Sequence, residues 1–512
     1  MIKFILALFP ILWLIMLLCV FKVKAHIASV TTGIVAFVEA ILIWHMPVLH
    51  ASTAALEGFA MALWPIVVVI IAAVFTYNLT VHTGAMETIK QMIVKVSSDK
   101  RILVILIGWC FGGFLEGMAG FGVAIAIPSS MLVALGFHPV EAILACLIAN
   151  GCPTMFGSIG IPTTTLANVT GLEAGLLAFK QTIMTAPLLF ISPFLMVTLV
   201  GGGKKALKGL VPFVLVGSLS FVIPEILTAR FMGAELAVII ASVCSLICTI
   251  GYATKFSKTH QVPEEYVMDV GGNDEHIDMK KALKAWSPFI LIFVLLILTS
   301  KVCPFISEPL SRVKSSILIY QGPGGAPYTF QWLNTPGVVI FIAGIIGGLI
   351  QKCQWNGFVE VMKFTLNQMS KTIVTMLGVL ACAKIMGYSG MIQDIANFLV
   401  VVLGTFYPLA APLIGALGTF VTGSGTSSEV LFGNVQLQAA HAIQVDPYWL
   451  VASNSLGTSA GKMLAPQSIA IGTAACDAQG KDGEILGRIF KYALVYMILM
   501  SLIVFFGAHF LG

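Results

Sequence analysis

Long apolar segments separated by short polar stretches make up most of the chain. A helix that crosses the hydrocarbon core of a bilayer needs about 20 consecutive, mostly apolar residues. Ten segments come close to this length, at residues 4–22, 27–46, 62–82, 181–201, 208–224, 233–253, 286–303, 336–351, 366–387 and 490–510. The pattern predicts an all-α polytopic membrane protein with about 12 transmembrane helices, once the broken segments described next are included.

Two further apolar regions, 102–137 and 407–445, are interrupted near their centres by glycine-rich stretches. These read Gly117-Met-Ala-Gly-Phe-Gly122 and Thr422-Gly-Ser-Gly-Thr-Ser-Ser428. Roughly 14 helical residues on each side of such a stretch reach roughly 21 Å, which is short of a hydrocarbon core of about 30 Å. Because unpaired backbone groups in lipid cost several kcal/mol each, the tips must line a cavity or pack inside protein. We therefore predict two re-entrant helical hairpins.

Each predicted hairpin is followed by an apolar segment that we interpret as a broken helix, at 140–170 and at 448–475. Asparagine, glycine and proline or serine near the middle of each segment predict the breaks at 147–153 and 451–457. A break of this kind frees backbone amides and carbonyls for binding inside the membrane.

The two halves of the chain contain matching residues in the same order. Asn-x6-Gly-x4-Pro occurs at Asn150 and again at Asn454, which is an offset of 304 residues. Further pairs at offsets of 306 to 308 are Gly84 and Gly390, Phe114 and Phe420, Gly117 and Gly423, and Pro139 and Pro447. The predicted spans give the two copies opposite orientations, and inverted repeats with broken helices are typical of secondary transporters. Glycine-mediated packing between helices is the alternative reading of these positions.

This repeat divides the chain into four predicted parts. Residues 1–61 form N-terminal scaffold helices, 62–201 the first repeat, 202–335 linking scaffold helices with polar loops, and 336–512 the second repeat. The polar stretch 254–285 is the expected linker between the halves. Of the 28 Lys and Arg residues, 19 fall in loops on one side, which predicts that this side is cytoplasmic and that both chain ends face out.

Composition narrows the function. Hydrophobic residues make up 58% of the chain and charged residues 10%, and the mean hydropathy is +0.98. These values exclude soluble enzymes, secreted modules and nucleic-acid binders. Ten cysteines without motif spacing predict neither a disulfide framework nor a metal site, and no nucleotide-binding or cofactor motif is present. We therefore expect a protein that is not an enzyme and that needs no cofactor.

Three ionisable residues accompany the hairpins and the second broken helix. Glu116 lies beside the first tip, Glu429 just after the second, and Lys462 within the second broken helix. A charge inside a membrane segment is a functional candidate by default. Each glutamate has two possible roles: it carries a coupling proton, or it makes a structural contact. Lys462 also has two: it attracts a substrate carboxylate, or it pairs with Glu429 or Glu116. Lys371 and Lys384 are expected to snorkel from the ends of one span.

Four stretches resemble the signature motifs of the bacterial L-lactate permease family. They are Phe114-Leu-Glu-Gly-Met-Ala-Gly-Phe-Gly122, Phe156-Gly-Ser-Ile-Gly-Ile-Pro162, Thr422-Gly-Ser-Gly-Thr-Ser-Ser428 and Gly461-Lys-Met-Leu-Ala-Pro-Gln-Ser-Ile-Ala-Ile471. The resemblance implies a symporter of the bacterial cytoplasmic membrane that takes up lactate or glycolate, with a proton as the coupling ion. It also implies an elevator-type transport domain built from the hairpins and broken helices.

The chain departs from the family pattern at four positions. Gly425 and Glu429 replace the third and seventh residues of the usual second-tip motif, Ala124 stands in place of a proline, and Ala465 in place of a serine. Moving a carboxylate by four residues keeps it on one face of a helix. A proton or cation site is therefore expected to persist in a shifted place.

These arguments give a set of candidate residues and a function. The predicted substrate-binding residues are Gly117, Gly120, Asn150, Ser424, Thr426, Ser427, Asn454, Lys462 and Gln467, and the predicted proton-coupling residues are Glu116 and Glu429. The expected partners are a small monocarboxylate, a coupling proton and membrane lipids, with a homodimer as one assembly to test and no nucleic acid. A sodium-coupled carboxylate carrier is the main alternative, followed by a channel or a membrane sensor.

Overall fold

The computed structural model describes residues 2–21, 23–120, 122–256, 262–268, 278–299 and 303–510. Phe121 of the first predicted tip lies outside the described residues, as do 257–261 and 269–277 of the predicted linker and 300–302 of the predicted span 286–303.

The helices of the described N-terminal half follow one another with short connections. They are α1 (Ile2–Ile15), α2 (Ala25–Leu42), α3 (Val48–Met61), α4 (Val68–His82), α5 (Ala85–Val94), α6 (Lys100–Leu103), α7 (Gly112–Met118), α8 (Val123–Ala134), α9 (Pro139–Gly151), α10 (Gly157–Thr170), α11 (Ala174–Val200), α12 (Val211–Phe231) and α13 (Ala237–Phe256). Wider π-helical turns extend α1 and join α3 to α4 and α6 to α7, at Met16–Val20, Ala62–Val67 and Val104–Phe111. Short 3-10 turns lie at Cys152–Phe156 and Lys204–Leu207.

The described C-terminal half is also helical, apart from one small hairpin of strands. Its helices are α14 (Met279–Thr299), α15 (Pro304–Ser311), α16 (Pro336–Ile350), α17 (Trp355–Ser389), α18 (Met391–Leu403), α19 (Tyr407–Thr422), α20 (Gly425–Ile443), α21 (Pro447–Leu464), α22 (Pro466–Ala475) and α23 (Asp482–Phe510). Strands β1 (Lys314–Ile317) and β2 (Tyr328–Gln331) pair antiparallel, with Lys314 opposite Gln331. Two further 3-10 turns lie at Glu264–Tyr266 and Gly404–Phe406.

Eleven helical segments among the described residues are long and apolar enough to cross a membrane. This confirms the prediction of an all-α polytopic membrane protein. Several segments are longer than predicted, among them Val48–His82 and Trp355–Ser389, which are each 35 residues long. The sequence pattern missed the start of α17 because that part of the helix has a polar face. Asn78 of α4 packs against this face and donates to Thr365 Oγ1 at 3.0 Å and to Gln368 Oε1 at 2.9 Å.

The arms around each glycine-rich tip are helical. The first arm of the first hairpin runs from Lys100 to Met118, so its 19 residues exceed the predicted 14, and α8 returns from the tip. In the second hairpin, α19 and α20 are 16 and 19 residues long. Positive φ angles of 58° at Gly120 and 69° at Gly423 let the chain reverse, a conformation that glycine adopts without a steric penalty. That these hairpins re-enter the bilayer without crossing it stays a prediction.

The second helix break lies further along the chain than we predicted. Helix α21 is continuous through 451–457 and ends at Leu464, and Ala465 separates it from α22, which begins at Pro466. In the first repeat α9 ends at Gly151, within the predicted 147–153, and the irregular stretch that starts with the 3-10 turn extends to 158–160, where Ser158, Ile159 and Gly160 have positive φ angles of 45°, 61° and 72°. Both breaks therefore precede the proline of the repeated motif, whose missing N–H is tolerated at a helix start.

Close helix packing explains the glycine that misled the prediction at 451–457. A Cβ at Gly457 would lie 1.8 Å from the carbonyl oxygen of Pro412 on α19. A Cβ at Gly461 would lie 2.3 Å from the carbonyl oxygen of Ala416. Glycine here brings α19 and α21 into backbone contact, as small residues do between membrane helices.

Helices α2, α3 and α17 pack together beside the hairpins. A Cβ at Gly378 of α17 would lie 2.9 Å from the carbonyl oxygen of Ser29 on α2, and one at Gly58 would lie 2.6 Å from the Cα of Ala381. Lys384 of α17 does not snorkel as predicted, since its Nζ pairs with Glu57 Oε1 at 2.8 Å, and both side chains are largely buried. We call α2, α3 and α17 the side bundle.

The described part of the predicted linker is attached to the start of the first hairpin. The fully buried Arg101 pairs with Asp99 at 2.7 Å, donates to the carbonyl of Ala206 at 3.1 Å, and lies 4.1 Å from the centre of the Tyr266 ring. The N–H of Met268 donates to the carbonyl of Ser98 at 2.8 Å. Residues 262–268 therefore hold the base of that hairpin.

Candidate substrate site

A cavity of about 510 Å³ lies where the two hairpin tips and the two helix breaks meet. Its hairpin wall includes Glu116 and Gly120 at the first tip, residues 422–427 at the second tip, and Lys462. Thr154, Ser158, Gln467 and Ser468 from the two broken helices complete this wall. The opposite wall comes from α2 and α17 of the side bundle.

The second tip presents the N-terminus of α20 to this cavity. Ser424 is the N-cap, and its Oγ accepts a hydrogen bond from the Ser427 N–H at 3.3 Å. The first amides of a helix have no partner inside the helix, and the aligned peptide dipoles give this end a positive potential. The N-terminus of α22 reaches the same cavity through Gln467 and Ser468. Two helix ends thus offer donors to an anion.

Lys462 lies on the last turn of α21 and reaches the second tip. Its Nζ donates to the carbonyl of Gly423 at 3.1 Å, and the residue is 8% exposed. The contact is with a backbone carbonyl, and no described carboxylate oxygen lies within 4.0 Å of the ammonium group. Glu116 is the acidic residue that lines the same cavity. The hairpin wall of the cavity therefore contains one positive and one negative group that are separated by more than contact distance.

Glu116 is held by side chains of the first broken helix. Its Oε2 accepts from Asn150 Nδ2 at 2.7 Å, and its Oε1 accepts from Thr154 Oγ1 at 3.4 Å. Ser158 Oγ donates to the carbonyl of Ala119 at 2.7 Å and so ties the break to the first tip. The carboxylate is 3% exposed and lines the cavity.

Glu429 is held in the same way by the matching residue of the second repeat. Its Oε2 accepts from Asn454 Nδ2 at 2.8 Å, while its Oε1 has no hydrogen-bond partner. Glu429 follows its hairpin tip, however, whereas Glu116 precedes its own. Glu429 is fully buried behind the second tip and does not line the cavity.

The structure brings most of the predicted site residues together at one cavity. Those that line it are Glu116, Gly120, Ser424, Thr426, Ser427, Lys462 and Gln467. Asn150 and Asn454 lie behind them and hold the two glutamates. Gly117 lies away from the cavity, where a Cβ would be 3.0 Å from the side chain of Ile239. The predictions for these residues as ligands of substrate and proton stay predictions.

Several lining residues were missed in the sequence. Thr154 and Ser158 follow the predicted first break by a few residues, and only their motif context could have drawn attention to them. Lys371, Thr372 and Thr375 of α17, with Lys24 and His26 at the start of α2, form the opposite wall. Lys371, which we predicted to snorkel from the end of its span, lines the cavity instead. Nothing in the local pattern places the other four residues there, because their position depends on how α17 packs beside the second hairpin.

Comparison with known proteins gives matches over almost the whole chain. The family described as L-lactate permease matches residues 3–511. An L-lactate permease from Streptococcus iniae is 43% identical over 457 residues, which cover 89% of this chain and 95% of that protein. The L-lactate permease of Escherichia coli K12 is 33% identical over 536 residues, and glycolate permease GlcA of the same strain is 33% identical over 548 residues. Both alignments cover 98% of this chain and 95% of the relative.

Two solved transporter structures have a similar fold. The YdaH transporter of Alcanivorax borkumensis superposes with a TM-score of 0.50 at 15% identity, covering 89% of this chain and 87% of that chain. MtrF of Neisseria gonorrhoeae, described with a class of antimetabolite efflux pumps, superposes with a TM-score of 0.52 at 13% identity, covering 94% and 96%. At these identities the likeness shows the fold alone.

Proposed function

The chain belongs to the L-lactate permease family and is a multi-pass protein of the bacterial cytoplasmic membrane, and on these premises we propose that it takes up lactate or glycolate by proton symport. The observation that carries the proposal is the cavity between the hairpin tips, where helix N-termini and Lys462 face Glu116. A small 2-hydroxymonocarboxylate needs donors for its carboxylate and a polar partner for its hydroxyl, and this wall offers both.

In the proposed binding mode, the substrate carboxylate lies at the N-terminus of α20. The free amides of the first turn and the hydroxyls of Ser424, Thr426 and Ser427 donate to it, and Lys462 adds positive potential. The substrate hydroxyl makes hydrogen bonds with polar side chains near the helix breaks, such as Ser158 and Gln467. Charge-assisted hydrogen bonds of this kind are stronger than neutral ones.

The proposed coupling follows from the two charges that share the cavity. When Glu116 is ionised, its negative charge offsets Lys462 and repels an incoming carboxylate. A proton on Glu116 removes that charge, so that the field of Lys462 acts on the substrate. Proton and substrate then each strengthen the binding of the other, as linkage requires. Glu429 is the second candidate proton carrier, since its Oε1 is buried without a partner.

We further propose that the two hairpins and broken helices move as one transport unit against the side bundle. Gln181 supports a connected unit, since its side chain contacts Thr163 of the first broken helix at 2.8 Å and Ser455 of the second at 2.5 Å. A unit that carries the tips together keeps the hairpin wall of the site intact while its exposure changes.

Counterflow in proteoliposomes is the test of this function. Vesicles loaded with unlabelled L-lactate should accumulate labelled L-lactate from outside, and glycolate should compete while a neutral amide of lactate should not. Counterflow that needs sodium would assign the coupling to sodium instead. Absence of counterflow with lactate and glycolate would overturn the proposed substrates, and a sustained electrical current at rates beyond those of carriers would identify a channel.

A further inference from the structure

The wall of the cavity that faces the hairpins is basic. Lys24 and Lys371 line it, together with His26, Thr372 and Thr375. The described lining of the whole cavity includes a single carboxylate, that of Glu116, against three lysines. The hairpin wall is close to neutral because Glu116 and Lys462 offset each other. The excess positive charge therefore lies on the opposite wall.

Lys371 lies on α17, outside the hairpins and the broken helices. One face of α17 lines the cavity, since Met369, Lys371, Thr372, Thr375 and Met376 recur at helical spacing. Close packing of Gly378 against the backbone of α2 holds this part of α17 in the side bundle.

The ammonium group of Lys371 has no described carboxylate within 4.0 Å, whereas Lys384, thirteen residues later on α17, is paired with Glu57. Lys24 is placed differently, because it is the N-cap residue of α2, where the helix end already supplies positive potential. Of the two lysines on this wall, Lys371 is thus the one for which an anion in the cavity would supply the missing counter-charge.

We propose that Lys371 binds the substrate carboxylate from the α17 wall. The inference rests on the proposed function and adds a contact outside the hairpins and broken helices. A bound monocarboxylate then bridges α17 and the N-terminus of α20, so that one ligand contacts both the side bundle and the transport unit. The contact also implies selectivity for charged substrates. The single carboxylate of a lactate-like acid contacts the charged or donor groups of both walls, whereas a neutral analogue leaves Lys371 without a counter-charge.

Equilibrium binding of labelled L-lactate to the purified full-length protein tests this contact. We expect Lys371→Gln to weaken binding about tenfold, the size expected for one charge-assisted hydrogen bond. Lys371→Arg keeps the charge and should bind within about threefold of the unmodified protein. Lys363→Gln is the matched control, because Lys363 is an exposed lysine of the same helix that does not line the cavity. The salt dependence of binding distinguishes a direct charge contact from a structural role of Lys371. If the contact is direct, lactate affinity should fall with ionic strength more steeply in the unmodified protein than in Lys371→Gln.

A second readout can be repeated with other small carboxylates if lactate is not the substrate. Lysine amidination followed by peptide mass spectrometry should show Lys371 protected by L-lactate, while Lys363 reacts equally with and without it. Normal lactate binding in Lys371→Gln together with an unprotected Lys371 would overturn the inference and leave the proposed function intact. If the unmodified protein binds neither lactate nor glycolate, the proposed function fails. Protection of Lys371 by another small carboxylate would still support the contact, and no protection by any of them would overturn it.

Discussion

The two buried glutamates are held by equivalent asparagines but have different surroundings. Asn150 and Asn454 occupy the same place in the repeated motif, and each donates to one glutamate at 2.7 and 2.8 Å. Glu116 nevertheless lines the cavity, while Glu429 lies behind the second tip. A carboxylate that faces substrate and one that faces only protein affect transport in different ways, which separate substitutions can distinguish.

We expect Glu116→Gln to uncouple substrate binding from protons. Glutamine keeps the hydrogen bond from Asn150, because its amide oxygen accepts from the same Nδ2, but it cannot offset the charge of Lys462. Lactate affinity should therefore stay high and should lose its pH dependence. Binding measured across the pH range from 5.5 to 8 tests this, with Glu87→Gln as a control for an exposed glutamate. A Glu116→Gln protein whose affinity still rises on acidification would contradict the assignment of the coupling proton to Glu116.

Glu429→Gln separates coupling from substrate exchange. If Glu429 carries a coupling proton, its substitution should abolish accumulation driven by a pH gradient while counterflow continues. Uptake and counterflow are measured in the same proteoliposomes. Unchanged accumulation would assign Glu429 to structure, as the partner of Asn454.

Lys462→Ala should weaken lactate binding by about tenfold, the size expected when one charge-assisted interaction is lost. The substitution also leaves Glu116 buried without its nearby positive charge, which destabilises the fold. The double variant Glu116→Gln with Lys462→Met removes both charges and serves as the control for folding. Normal affinity in Lys462→Ala, or restored affinity in the double variant, would show that the lysine has a structural role only.

At the level of helices, proline determined the break positions more strongly than glycine did. Gly457 lies inside a continuous α21, because it serves close contact with α19. The repeated prolines at 162 and 466 follow the real breaks. The matched spacing of the two halves could therefore be read in the sequence, but the tertiary reason for each glycine could not.

The contact between α19 and α21 gives a stability prediction. Gly457→Ala places a Cβ 1.8 Å from a backbone oxygen, so the helices must separate. We expect a loss of about 3 kcal/mol in the free energy of unfolding, near the upper end for an overpacked core. Gly487→Ala in α23 is the control, because nothing lies within 4 Å of its added Cβ. Thermal unfolding in detergent measures both, and equal midpoints would contradict the packing role.

For the whole molecule, the apolar pattern predicted the helical membrane fold and the motifs predicted the family. The hairpin wall could also be predicted, because its residues lie within a few positions of the glycine-rich motifs. The side-bundle wall could not, since Lys371 lay inside a predicted span but nothing in the sequence showed that this face of α17 packs beside the hairpin tips. A site formed between two separately packed groups of helices needs tertiary contacts that no local pattern encodes.

The central claim is that this protein couples the uptake of a lactate-like anion to the uptake of a proton. Its most direct test is labelled L-lactate uptake into proteoliposomes without sodium, under a pH gradient acid outside, with the membrane potential held at zero. We expect accumulation above the external concentration that collapses when a protonophore is added. Equal lactate concentrations inside and outside under the same gradient, or accumulation that appears only with a sodium gradient, would contradict proton symport.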